Sequence, residues 1–180
     1  MGSLSKVQAC NLIRSASGLA PISTTAQDPK VSRILDLAVL EMSGGTQAYN
    51  TNKTTLEPNS DDKIDVSEFI SFVLPPQYKN LVEKNGFLWD ADNEEYFSES
   101  ISDVLVTSLP QWDNIPTSWQ YAIASRAACN FLAQYKGYGN ELAYWERRAY
   151  EYLCKAEIDD PANMGNITGV NDRLGGFGGI

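Results

Sequence analysis

The sequence predicts an α+β fold: a four-helix bundle, with two N-terminal and two C-terminal helices, an inserted antiparallel β lobe, and an extended C-terminal arm. Three observations carry this reading. Apolar residues recur at helical spacing between Leu4 and Met42 and again between Trp119 and Ala156. From Thr46 to Leu109 that period gives way to short runs of Thr, Tyr, Val, Phe and Ile separated by turn residues. After Ile158 glycine and asparagine dominate. The expected division is 1–45 with 110–158 for the bundle, 46–109 for the lobe and 159–180 for the arm. Helices from the two ends of a chain can pack as one bundle.

The first helix is expected over about Leu4 to Ser17, with Leu4, Val7, Cys10 and Ile13 on one face and Gly18 as its stop. Leu19-Ala20-Pro21-Ile22 is extended, because the residue before proline avoids the α region. Asp28-Pro29 starts the second helix with a capping carboxylate and a proline in the first turn. Val31, Ile34, Leu35, Ala38 and Met42 form its buried stripe, and Gly44-Gly45 ends it.

Strands are expected near Gln47–Thr51, Thr54–Glu57, Lys63–Val66, Phe69–Leu74, Lys79–Glu83, Phe87–Asp90, Glu95–Phe97 and Asp103–Ser108. Asn85-Gly86 and Asp90-Ala91-Asp92-Asn93 supply hairpin turns. Residues 58–62 form a loop, and Pro75-Pro76 ends the strand before it.

The third helix, about Pro116 to Lys136, has Arg126 as its only charge between Thr117 and Tyr135. A helix apolar on most sides is buried on most sides. Proline is placed at its first helical position and Gly137 at its exit. The fourth, about Asn140 to Ile158, sets Leu142, Trp145, Ala149, Tyr152, Leu153 and Ala156 against a wet face of Glu141, Arg147, Arg148, Glu151 and Lys155. Glu151 and Lys155 stand i,i+4 in the favourable order. Trp112, at the join between lobe and third helix, is expected to staple the two parts together.

Composition narrows the chemistry. The chain has 180 residues, a net charge of −9 and no histidine. Ser/His/Asp and Cys/His mechanisms are therefore excluded. The acidic balance opposes tight nucleic-acid wrapping, which needs clustered Lys and Arg. No apolar run approaches the roughly 18 residues of a membrane span, and the opening residues lack the apolar core of a secretory peptide. Cys10, Cys129 and Cys154 are isolated, as small core residues in a reducing compartment would be.

Asp90-Ala91-Asp92-Asn93-Glu94-Glu95 hints at a calcium loop, but Glu95 and Ile101 stand where Gly and a bidentate Glu are required, so no metal site is assigned. The Asn-x-Thr triplets at Asn52 and Asn166 read as chance matches. Arg126 reads either as a structural ion pair or as a contact with a neighbouring subunit. Arg147, Arg148 and Lys155 read either as a solvated face or as partners for acidic residues of an adjacent copy. The segment from Asn163 to Ile180 has too little apolar surface to order itself, yet Leu174, Phe177 and Ile180 are spaced by glycines as anchors of a partner-binding arm would be.

These features, in order, resemble the tail tubular protein A family of short-tailed bacteriophages. Asn11-Leu12-Ile13 through Gly18-Leu19-Ala20-Pro21-Ile22 is similar to the family's opening helix and Gly-x-x-Pro exit, and Val31-Ser32-Arg33-Ile34-Leu35-Asp36 to its second helix. Tyr49-Asn50-Thr51, Thr55-Leu56-Glu57-Pro58 and Asp62-Lys63-Ile64 are similar to its early strands, and Gly86-Phe87-Leu88-Trp89-Asp90 to its Gly-x-Leu-Tyr-Asp strand. Leu109-Pro110 through Pro116, then Tyr121-Ala122-Ile123, Arg126-Ala127-Ala128 and Phe131, match best. The resemblance spans roughly residues 7–158; Ala48-Tyr49 replaces a larger aromatic pair, and residues 159–180 carry no landmark.

The resemblance implies a virion protein assembled in the host cytoplasm, without catalysis, cofactor or membrane contact. It implies a head-to-tail adaptor in a ring of about twelve copies, with a portal protein on one side, a tail nozzle protein on the other, and DNA passing through without sequence-specific binding. Arg173, Leu174, Phe177 and Ile180 are then the candidate portal contacts, and Arg126, Arg147 and Arg148 the candidate contacts between subunits. The competing reading is a monomeric carboxylate-dependent carbohydrate-binding module or glycoside hydrolase built on Asp90–Glu95.

Overall fold

The computed structural model describes residues 2–44, 49–137 and 139–160. The described chain is α+β, with four α-helices and two three-stranded antiparallel sheets. It divides into two compact units. One comprises residues up to Met42, Tyr49 and the chain from Pro110; the other holds Ser43, Gly44 and Asn50–Leu109.

In the helical unit, α1 (Lys6–Ala16) starts on a reciprocal cap: Gln8 N donates to Ser5 Oγ and Ser5 N to Gln8 Oε1. It ends at Gly18, whose φ of 75° lets Leu19 N reach Arg14 O at 3.0 Å and Gly18 N reach Ser15 O at 3.1 Å. Asn11 grips Ile22 through both its backbone groups, and Arg14 donates to Ala20 O. The Gly18–Ile22 exit is thus pinned to the helix it leaves.

Asp28 caps α2 (Pro29–Ser43) by accepting from Val31 N, and its other oxygen pairs with Arg14. Helix α3 (Thr117–Tyr135) begins one residue later than expected. Pro116 is its cap rather than its first turn, with extended ψ and a carbonyl that accepts from Gln120 N at 2.9 Å. Helix α4 spans Asn140–Asp159. Val31, Leu35 and Ala38 of α2 share one buried cluster with Ile13 of α1, Ile123 and Leu132 of α3, and Leu142, Trp145 and Ala156 of α4.

In the β unit, β1 (Thr51–Leu56) and β2 (Phe69–Val73) flank β6 (Ile101–Ser108). β3 (Leu81–Lys84), β4 (Phe87–Asp90) and β5 (Glu95–Tyr96) form a meander. Thr51–Leu56 form one strand, pairing without interruption from Thr51–Thr107 to Thr54–Val104; of the run expected at 47–51, residues 47 and 48 lie outside the described residues and Tyr49 and Asn50 form a turn. Asp103 then sits in the left-handed region (φ 65°), where the register shifts. The expected strand at Lys63–Val66 is not one; Asp65 alone bridges to Phe87. Asn85 (φ 56°) and Gly86 (φ 84°) make the two-residue turn between β3 and β4. Leu56, Ile64, Val66, Leu81, Leu88, Ile101, Val104 and Val106 form a second, separate core.

Candidate functional site

Of the chemistry proposed from sequence, the Asp90 cluster is the clearest to resolve. Asp90 Oδ1 accepts from Asp92 N, Asn93 N and Asn80 Nδ2, and its Oδ2 accepts from Asn93 Nδ2 at 2.8 Å. Burial pushes this carboxyl up, but those donors outweigh it and hold it below the usual carboxylate range. The carboxylate is committed to shaping its own turn. Among the described residues no group of acidic or cysteine side chains is placed to hold a metal.

Arg126 is half-exposed rather than buried, and its Nε and Nη2 both donate to Glu41 Oε1, at 3.1 and 2.8 Å. Asn130 donates to the second oxygen. The Arg126 guanidinium holds Glu41 below the usual carboxylate range, and Glu41 in turn raises Arg126. Sequence reading missed this partner because it lies on α2, 85 residues away.

On α4 the ion pair joins Arg147 to Glu151 at 3.0 Å, where the sequence suggested Glu151 with Lys155. Arg148 is more engaged than a solvated face requires. It donates to Tyr144 Oη and Tyr152 Oη at 2.8 and 2.7 Å, and its guanidinium lies 5.4 Å from the Trp145 ring centre. Tyrosines four residues before and after an arginine were the signal available. Trp112 lies in the core of the helical unit, with its indole N–H donating to Leu4 O at 2.7 Å. Arg173, Leu174, Phe177 and Ile180 lie outside the described residues.

The exposed side of α3 forms a groove of about 360 Å³. Ala122, Arg126 and Cys129 line it from α3, Glu41 and Met42 from α2, and Glu146, Ala149, Tyr150 and Leu153 from α4. Burial pushes the Cys129 thiol up to about 11, which keeps it protonated as it packs against its neighbours. Two carboxylates face one guanidinium in the groove. Helix α2 carries an apolar relief, for Leu37 and Leu40 are 53 % and 48 % exposed on the side opposite its buried stripe.

Apolar relief on helices, framed by paired charges, is what a protein built for contact with other macromolecules presents. That class is made specific by comparison with known families. The family model described as tail tubular protein matches residues 7–151, and the chain belongs to that family. It is a structural protein of bacteriophage tails and is assigned to the virion. No curated protein matches the chain. None of the helices among the described residues is long and apolar enough to cross a membrane.

Proposed function

We propose that this protein is the head-to-tail adaptor of a short-tailed phage. Copies form a ring of about twelve, joined to the portal on one side and to the tail nozzle on the other. Residues 159–180 form the arm that docks on the portal, through Arg173, Leu174, Phe177 and Ile180. Arg126, Arg147 and Arg148 contribute to contacts between neighbours in the ring. DNA passes along the axis without sequence-specific binding, which the net charge of −9 favours by keeping phosphates from adhering. The four helices pack as the bundle from which the arm departs. The observation that carries this reading is the family match over residues 7–151, joined to the order of the adaptor landmarks from Asn11 to Phe131.

The test is a chain ending at Asp160, whose buried side chain marks the end of the described helical unit. The truncated protein is expected to fold and to lose at least about tenfold in affinity for rings of its own portal protein, as loss of one good anchor would require. Unchanged portal affinity refutes the arm; failure of the full chain to bind the portal refutes the adaptor.

A further inference from the structure

The relief on α2 is apolar with a cation at one end, and the groove along α3 is partly apolar and holds two carboxylates. Arg33, Leu37 and Leu40 are spaced i, i+4, i+7 and form a single exposed ridge. The ridge faces away from the helical core, because Val31, Leu35 and Ala38 on the opposite side of α2 are fully buried in it. The groove, meanwhile, uses Glu41 and Met42 at the far end of the same helix as one wall. The ridge therefore has no route into its own groove.

We infer that the Arg33–Leu37–Leu40 ridge of one copy seats in the α3 groove of a second copy. The occupant is argued from charge. The groove holds two carboxylates, Glu41 and Glu146, and only one cation, Arg126, which already pairs with Glu41. The ridge brings an exposed cation, Arg33, one turn from its first leucine, while the neighbouring Asp36 is paired with Lys6 at 2.7 Å. The leucines bring the apolar surface that Met42, Ala149 and Leu153 can cover. Ridge and groove are different surfaces, so the contact is head-to-tail, and repetition closes a ring or extends a filament. This pairing rests on the adaptor reading only in its requirement that copies assemble.

The test uses the full chain at high concentration, as a mixture of light and ¹⁵N-labelled protein, with the photoreactive residue benzoylphenylalanine in place of Leu40. Intermolecular cross-links are expected from position 40 to peptides containing Ala122–Cys129 or Glu146–Leu153. Arg33→Glu is expected to lower their yield about tenfold, and combining it with Glu146→Lys to restore it. These positions are exposed on their helices, and an unchanged circular dichroism melt verifies each variant. Absence of intermolecular cross-links, cross-links to other surfaces, or a yield indifferent to Arg33→Glu overturns the pairing. Portal binding is measured separately. A chain that cross-links as expected but ignores portal rings removes the adaptor reading and leaves this pairing standing.

Discussion

Replacing Gln120 by leucine separates what a buried polar side chain contributes by shape from what it contributes by hydrogen bonding. Gln120 is fully buried on α3. Its Oε1 accepts from Leu4 N at 2.8 Å and from Ser3 Oγ at 3.1 Å, and its Nε2 donates to Trp112 O at 3.1 Å. The Trp112 indole returns to Leu4 O at 2.7 Å. Both backbone groups of Leu4 are thus satisfied by side chains more than a hundred positions along the chain. Gln120→Leu keeps most of the volume but orphans Leu4 N–H, while Trp112 C=O keeps the bond it accepts from Ile115 N at 3.2 Å. One such orphan costs about 1–3 kcal/mol, reduced to the extent that the segment before α1 opens to water. Urea denaturation monitored by helical circular dichroism measures the loss, and amide hydrogen exchange at Leu4 shows whether that segment opens. A cost below about 0.5 kcal/mol with Leu4 still protected would refute the claim that these bonds hold the N-terminus to α3.

Three further outcomes follow from the same geometry. Gly86→Ala is expected to destabilise the β unit by about 1–3 kcal/mol, since its φ is 84° and an added Cβ would meet Ser67 Cβ at 3.0 Å; an unchanged denaturation midpoint contradicts this. The Glu41 carboxyl is depressed in the folded chain by Arg126, so its stabilising contribution is present above the unfolded carboxylate pKa and declines as pH falls through the folded value. Because the pair is half-exposed, Arg126→Ala is expected to cost under about 1 kcal/mol and to flatten that acid dependence, as pH-resolved denaturation will show. In thiol labelling at pH 8, Cys129 is expected to lag behind half-buried Cys154, because a thiol near pKa 11 is only about one part in a thousand thiolate there; equal labelling rates in the folded protein contradict it.

The elements most legible in the sequence were those whose ends are set by local chemistry. Asp28-Pro29, Gly18 and Asn85-Gly86 each occur where the backbone needs a cap or a positive φ, and each lies within a residue of its expected place. Pro116 fell one position early because a proline suits the cap and the first turn equally well until the carbonyl's partner is known. The Lys63–Val66 run failed for a different reason. Asn59 holds the preceding loop by accepting from Asp61 N and Lys63 N, and the Lys63 ammonium lies over the Tyr96 ring at 4.4 Å. Its backbone pairing stops at a single bridge, with Val66 N donating to Gly86 O at 2.8 Å and Leu88 N to Ile64 O at 3.0 Å, and alternation cannot reveal so short a pairing. Partners distant in sequence, such as Glu41 for Arg126 and Leu4 for Trp112, left no periodic trace at all. The ridge on α2 did leave one: Leu37 and Leu40 are apolar residues in excess of the buried stripe, and a helix needs no leucines on its wet face for its own fold.

Charge divides between the two units in a way that bears on how copies come together. Residues 50–109 carry twelve carboxylates against four lysines, a balance of −8 out of the whole chain's −9. The remainder of the chain carries eleven carboxylates and ten cations and is almost neutral. Identical copies brought side by side therefore repel through their β units, over a distance that salt limits to about 8 Å at physiological ionic strength. Attraction has to come from surfaces with little net charge and with apolar area to cover, and the helical unit has both in its ridge and groove. Under the adaptor reading proposed above, the same partition suits a DNA conduit. Carboxylates concentrated outside the ridge and groove can face phosphate without weakening the contact inferred above. Had the acidic residues been spread evenly, every gain in repulsion toward DNA would have been matched by repulsion between neighbours.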